Sequence, residues 1–263
     1  MSTVYTTELT DEQYQLLSPL IPPPRTIGRP RTVNLKLVIQ GILYVLVTGC
    51  AWRLLPKEYP PYSTVYYYFR QWRDNGTWKK IHDHIVKWVR VMDNRDSSPS
   101  ASSLDSQTVP TSVMVNQGVG YDANKKIKGR KRFTLVDTQG LLMMVCVVAG
   151  DVPEREGAKQ LLSLVHKEHK RFPRLIRIWV DAGFSGKDFM RCVMDRFGWI
   201  IDVVSRPKNH KGFVLLPKRW TVERTYGWLH WCRRLNTDYE RLPSSSEALI
   251  YIAMIRLMLC RLA

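Results

Sequence analysis

Three acidic residues combine side-chain type with positions from which they could do chemistry. They are Asp105 in SLDSQTV (103–109), Asp181 at the end of LIRIWVD (175–181) and Glu223 in RWTVERTYGWL (219–229). Asp105 is expected in a first strand. Asp181 is expected where a later strand ends, before the flexible turn AGFSG (182–186), the kind of strand end at which open α/β sheets carry their sites. Glu223 is expected in the first turns of a helix that could cross the sheet and bring its carboxylate beside the two aspartates. Three converging carboxylates repel one another unless cations fill the gap. Hard oxygen ligands suit Mg²⁺, and two such ions roughly 3.5–4 Å apart can stabilise both the attacking and the leaving oxygen of an in-line displacement at phosphorus. Other aspartates read as local structure and are set aside: Asp137 opens the β-turn DTQG, Asp151 caps a helix and Asp202 alternates in a strand.

The charge balance names a class of partner. Lys and Arg number 40 against 23 Asp and Glu, a net charge of +17, which implies a polyanion. Six cations fall within eight residues at Lys125, Lys126, Lys128, Arg130, Lys131 and Arg132, and are read as phosphate contacts. A second group, Arg219, Arg224, Arg233 and Arg234 with His230, accompanies Glu223 and would hold backbone near a scissile phosphate. In the N-terminal region, Tyr67, Arg70 and Arg73 interleave in the helix expected over 64–75, close behind another helix, as a helix-turn-helix reader of duplex DNA would require. Arg29 and Arg31 in GRPR (28–31) read either as an arm that enters a minor groove or as part of a plain connector between helices.

The elements that must position these residues follow from periodicity and punctuation. Thr10 and Gln13 form a capping pattern for a first helix ending near Pro19, and Asn34 caps a second that stops at Gly49. Ser63 is expected to cap a third helix, and Gly76 separates it from a fourth that begins at Thr77. The Ser- and Pro-rich stretch 96–103 reads as a linker, dividing a helical DNA-binding domain (1–95) from a catalytic domain (104–263). Beyond it the order is three strands with a turn at DTQG, a helix over 154–168, the strand 175–181, a helix near 187–197, the strand 199–204, and helices around 221–235 and 246–261. The last is introduced by a capping box of Ser244 and Glu247. A meander followed by alternating helices and strands demands a mixed sheet covered by helices, the arrangement of an RNase H-like α/β core behind a small all-helical domain.

Other classes are excluded. The longest apolar runs, 37–47 and 141–149, fall short of the ~20 residues that span a bilayer, and the first ten residues carry no secretory pattern. The expected location is the cytoplasm, with the nucleoid. Five cysteines without a CxxC pair read as reduced core thiols.

The local words around the three carboxylates resemble a known family. LDSQTV (104–109), YDANKKIKGRKR (121–132), VDAGFSG (180–186), PKRWTVERTYGWL (217–229) and CRRLNTDYERLP (232–243) are similar to the DDE transposases of bacterial insertion sequences, the insertion-sequence-five family. LTDEQYQLLSPLIPPP and the segments that follow to GTW (76–78) resemble the N-terminal DNA-binding module of the same enzymes. The resemblance implies that Asp105, Asp181 and Glu223 are a catalytic triad holding two Mg²⁺ ions, with Mn²⁺ able to substitute. It implies hydrolysis of a phosphodiester at the element's end, then attack of the freed 3′-OH on target DNA. The implied partners are double-stranded DNA, both terminal inverted repeats and target, and at least one further copy of the chain. The family pattern around the glutamate is Tyr-x2-Arg-x3-Glu-x6-Lys; Arg219 matches, whereas Leu216 and His230 stand where Tyr and Lys would. Two alternatives are a catalytically inactive regulator derived from a transposase and an RNase H-like nuclease that only hydrolyses.

Overall fold

The computed structural model describes residues 5–24, 30–204 and 217–263; Arg29 and Leu216 lie outside them. Local signals set the first helices. In α1 (Asp11–Leu17) the Thr10 side chain accepts from the Gln13 N–H and the Gln13 side chain answers to the Thr10 N–H. Asn34 caps α2 (Leu35–Thr48), which ends at Gly49 with φ 75°, a left-handed conformation that glycine adopts without a Cβ penalty. The third helix, α3 (Tyr62–Asp74), starts earlier than expected and is capped by Pro61 with no side-chain bond, so Ser63 lies inside it. α4 covers Thr77–Met92.

β1 begins at Ala101 and runs to Pro110, three residues into the stretch read as a linker. β3 (Ile127–Asp137) pairs antiparallel with β1 along one edge. Along its other edge it meets β4 (Leu142–Ala149) and, further down, β2 (Gly120–Asp122), a short strand the sequence reading omitted. β5 (Arg177–Val180) joins β1 in parallel and β6 (Ile200–Val203) joins β5 in parallel. The result is a mixed sheet in which β1 lies between an antiparallel meander and a parallel extension.

Helices cover both faces. α5 (Glu154–Lys167) and α6 (Lys187–Phe197) pack on the face carrying Leu104, Phe133, Leu135, Met144 and Ile178. A Cβ on Gly157 would lie 2.0 Å from the Phe133 ring, so only glycine lets α5 approach β3 this closely. The other face carries Val136, Leu142, Val145 and Val147. It shares one apolar cluster with α7 (Pro217–His230), α8 (Pro243–Leu262) and the four N-terminal helices. Each fully buried large side chain here contributes roughly 1.5–3 kcal/mol.

Two expected caps differ. α5 is capped by Pro153, not Asp151. α8 starts at Pro243 with Leu242 as its cap and no side-chain bond, because Glu247 reaches across to accept from the Val147 N–H at 2.9 Å and is not free to close a capping box. Of the cysteines, Cys146 and Cys232 are buried, Cys260 is exposed and all are free thiols. Among the described residues, no helix is long and apolar enough to cross a membrane.

Candidate active site

β1 and β5 run parallel with Ser102 beside Ile178 and Ser103 beside Trp179. Two residues further along this register Asp105 comes level with Asp181. Side chains alternate along a strand, so both carboxylates leave the sheet on the face shared by Ser103 and Trp179. That is the face α7 crosses. Ser103 Oγ donates to the Lys218 carbonyl at 2.6 Å, and Lys218 Nζ sits 5.2 Å from the centre of the Trp179 ring.

α7 turns Val222, Tyr226 and Leu229 inward and leaves Glu223 exposed on its flank. One turn earlier, Arg219 Nη2 lies 3.5 Å from Glu223 Oε1 and 3.9 Å from Asp181 Oδ2. The structure thus sets Asp105 beside Asp181 and joins Glu223 to the pair through a guanidinium.

Each aspartate is oriented by backbone. Asp105 Oδ1 accepts from the Ser106 N–H and Asp181 Oδ1 from the Gly183 N–H, both at 2.8 Å. Burial pushes the Asp105 carboxyl up to about 7 against the stabilising Ser106 N–H; Asp181 and Glu154 raise it further and Arg219 opposes them. Tyr226 bonds Thr134 Oγ1 at 2.7 Å, and Thr134 is the cross-strand partner of Asp105. Burial, with Asp105 nearby, pushes the Tyr226 phenol well above its ordinary range.

Glu154 and Tyr226 are the residues that sequence reasoning missed. Glu154 Oε2 accepts from Ser106 Oγ at 2.6 Å and Oε1 lies 3.4 Å from Lys131 Nζ, which adds a fourth carboxylate to the electrostatics of Asp105. An acid in the first turn of a helix is ordinary dipole chemistry, so no local signal distinguished it.

The donor set is all oxygen, as a hard divalent cation requires, and a desolvated carboxyl beside a second one favours a cation between them. Among the described residues no three His, Cys, Asp or Glu side chains are grouped so as to hold a metal ion. Arg219 supplies the positive charge between Asp181 and Glu223.

The cations divide sharply. Arg130, Lys131, Arg132 and Arg234 were expected on DNA but are buried, and a buried side chain cannot reach a phosphate. Arg130 donates to the Glu240, Gln117 and Arg241 carbonyls at 2.7, 2.6 and 2.9 Å and lies 3.2 Å from Asp238. Lys131 donates to the Val152 carbonyl at 3.0 Å, Arg132 donates to the Leu235 carbonyl at 2.8 Å, and Arg234 pairs with Glu240 at 2.7 Å. Arg73 is engaged by Ser245 Oγ at 2.6 Å, and Arg31 by the Pro22 and Pro23 carbonyls at 3.1 and 3.0 Å. Arg224 donates to the Gln139 carbonyl at 2.7 Å. Lys125, Lys126, Lys128, His230, Arg233, Tyr67 and Arg70 face solvent.

Comparison with known proteins adds an independent line. A family model described as "Transposase DDE domain" matches residues 96–258, and one described as "Putative transposase of IS4/5 family" matches residues 9–82. The "Insertion element IS402 uncharacterized 16.2 kDa protein" of Burkholderia cepacia is 34% identical over 108 residues, 38% of this chain and 71% of the relative. The "Putative transposase for insertion sequence element IS402" of the same organism is 34% identical over 88 residues, 34% of this chain and 37% of that protein's length. A cryo-EM structure of the piggyBac transposase synaptic complex with hairpin DNA aligns over 96% of this chain and 73% of its own, at a TM-score of 0.43 and 11% identity.

Proposed function

Because the chain belongs to the insertion-sequence DDE transposases of the IS4/5 type, we propose that it binds the terminal inverted repeats of its own element, cleaves DNA there and transfers the 3′-OH strands to target DNA. The observation that carries the reading is the adjacency of Asp105 and Asp181 on one sheet face, with Glu223 tied in by Arg219. Asp105, Asp181 and Glu223 would hold two Mg²⁺ ions, or Mn²⁺ in their place, whose contribution is Lewis acidity at the attacking and leaving oxygens. Arg219 lies between Asp181 and Glu223 and offsets their charge; with those carboxylates engaged elsewhere its guanidinium would be available to a phosphate. Ser106 and Gly183 keep the two aspartate carboxylates aimed.

The sheet, an antiparallel meander extended in parallel from β1, supports an RNase H-like reading of the catalytic region. In a helix-turn-helix reading of the N-terminal region α3 would be the helix that reads duplex DNA, through its exposed Tyr67 and Arg70, although residues 49–61, with a 3-10 turn at Trp52–Leu54, separate it from α2 where a short turn was expected. Two element ends must be held at once, so the active assembly is at least a dimer on DNA.

The test uses labelled DNA carrying the inverted repeats that flank the gene, with Mg²⁺. Cleavage followed by joining to a second duplex is expected; cleavage without joining would make the protein a hydrolase, and binding alone would make it a regulator. Asp105→Asn, Asp181→Asn and Glu223→Gln should each lower cleavage by more than about a hundredfold, beyond the loss usual for groups behind the metal ligands, while end binding persists.

A further inference from the structure

Asp105 sits on a stretch of strand with one neighbour. β5 accompanies β1 from Ala101 to Ser103, whereas β3 pairs with it from Ser102 to Pro110. Among the described residues, β1 is therefore paired along a single edge from Leu104 onward, and the Ser106 N–H donates to the Asp105 carboxylate at 2.8 Å. A strand paired on one side lacks half of the ladder that fixes a central strand. The stretch that aims Asp105 needs another anchor.

The anchor lies on the back of the sheet. Side chains alternate along a strand, so Leu104, Ser106 and Thr108 leave β1 on the face opposite Asp105, where α5 packs. Glu154, the first residue of α5, accepts from Ser106 Oγ at 2.6 Å, the length of a charge-assisted bond. Asp122 of β2 accepts from Thr108 Oγ1 at 2.5 Å. Both carboxylates converge on Lys131 Nζ, 3.4 Å from Glu154 and 3.5 Å from Asp122. Lys131 is the cross-strand partner of Thr108, and Phe133 that of Ser106. Gly157, one turn after Glu154, lets α5 close on the Phe133 ring, which sets the helix end directly over Ser106. One ammonium thus ties two hydroxyls of β1, through two acids, to β3, β2 and the start of α5.

Stability alone does not account for this cluster, because apolar side chains of similar volume often replace such ion pairs at no cost. What it supplies is direction: each hydroxyl of β1 is held by a charged acceptor that is itself held. We propose that Glu154 is a positioning residue for a divalent cation at Asp105, acting through Ser106 from the opposite face of the sheet. The role rests on the phosphoryl-transfer reading for the cation itself.

The experiment titrates Mn²⁺ alone into the full chain and reads the free ion by electron paramagnetic resonance, with Asp105→Asn marking the binding that belongs to the site. Glu154→Ala and Ser106→Ala should each weaken that binding by about tenfold to a hundredfold, the range for groups that orient a metal ligand. The double variant should bind no more weakly than either single one, since both act through one hydrogen bond. Glu154→Gln keeps an acceptor for the Ser106 hydroxyl without the charge and should retain most of the affinity. Melting temperature and DNA binding in EDTA report whether each variant is folded, and Ser106→Ala, which removes one oxygen, carries the test if Glu154→Ala is not. The positioning role is overturned if Glu154→Ala and Ser106→Ala bind Mn²⁺ like the wild type, if Glu154→Gln is as weak as Glu154→Ala, or if the two alanine effects add. Mn²⁺ binding that ignores Asp105→Asn removes the cation site and the proposal with it. Binding that is lost with Asp105→Asn but kept with Glu154→Ala and Ser106→Ala overturns the positioning role alone.

Discussion

Two stretches of β3 and its approach look alike in composition and behave oppositely. Lys125, Lys126 and Lys128 stand in solvent at the hairpin that leads into the strand, whereas Arg130, Lys131 and Arg132, one strand pitch away, are buried. The difference is what covers the sheet. At Arg130 and Arg132 the chain segment between α7 and α8 supplies the Leu235, Glu240 and Arg241 carbonyls and Asp238. On the opposite face Lys131 meets Asp122, Glu154 and Val152. A run of cations is therefore two structures: an exposed electrostatic patch, and internal struts that hold the C-terminal segment against the sheet.

The largest effect should come from breaking a strut. Removing one partner of a buried ion pair leaves an uncompensated charge, at a cost of roughly 3–5 kcal/mol. Arg130→Ala should thus lower the melting temperature by about 10 °C or more, with loss of DNA cleavage following from unfolding rather than from lost contacts. If Arg130→Ala melts like the wild type and weakens DNA binding instead, the division into struts and patch collapses.

This contrast also separates what the sequence could say from what it could not. Thr10, Asn34 and Gly49 act on backbone within a turn of themselves, so the ends of α1 and α2 were legible. So was the Asp105–Asp181 pair, because strand order and strand ends locate both residues. Burial of Arg130 depends on carbonyls more than 100 positions away in the chain, and no local pattern reports them. Ser244 and Glu247 match a capping box by spacing, yet Glu247 is engaged by β4. Trp228 falls in the helix expected around 221–235, whereas its contact with Arg261 of α8 is tertiary and no local pattern reports it.

Glu247 gives a second, intermediate effect on the same cover of the sheet. Its burial pushes the carboxyl up to about 7, against about 4.3 in an unfolded chain. A raised folded pKa means that folding favours the protonated form. The stability this group contributes is complete below about pH 4.3 and is lost as pH rises to about 7, after which it changes no further. Glu247→Gln keeps an acceptor for the Val147 N–H without the charge. Thermal melts should therefore show the variant gaining on the wild type between pH 5 and pH 7.5; a constant difference across that window would mean that Glu247 does not titrate there.

The smallest effect should come from the patch. Lys125, Lys126 and Lys128 are exposed and, among the described residues, none forms an ion pair, so replacing each by alanine should leave stability within about 0.5 kcal/mol. If they hold phosphates, each replacement should weaken binding to any duplex regardless of sequence and reduce the slope of log affinity against log salt by about one. The triple variant then gives a slope lower by about three at an unchanged melting temperature, the reverse of the Arg130→Ala signature. Equal slopes for wild type and triple variant would move the DNA path off this hairpin.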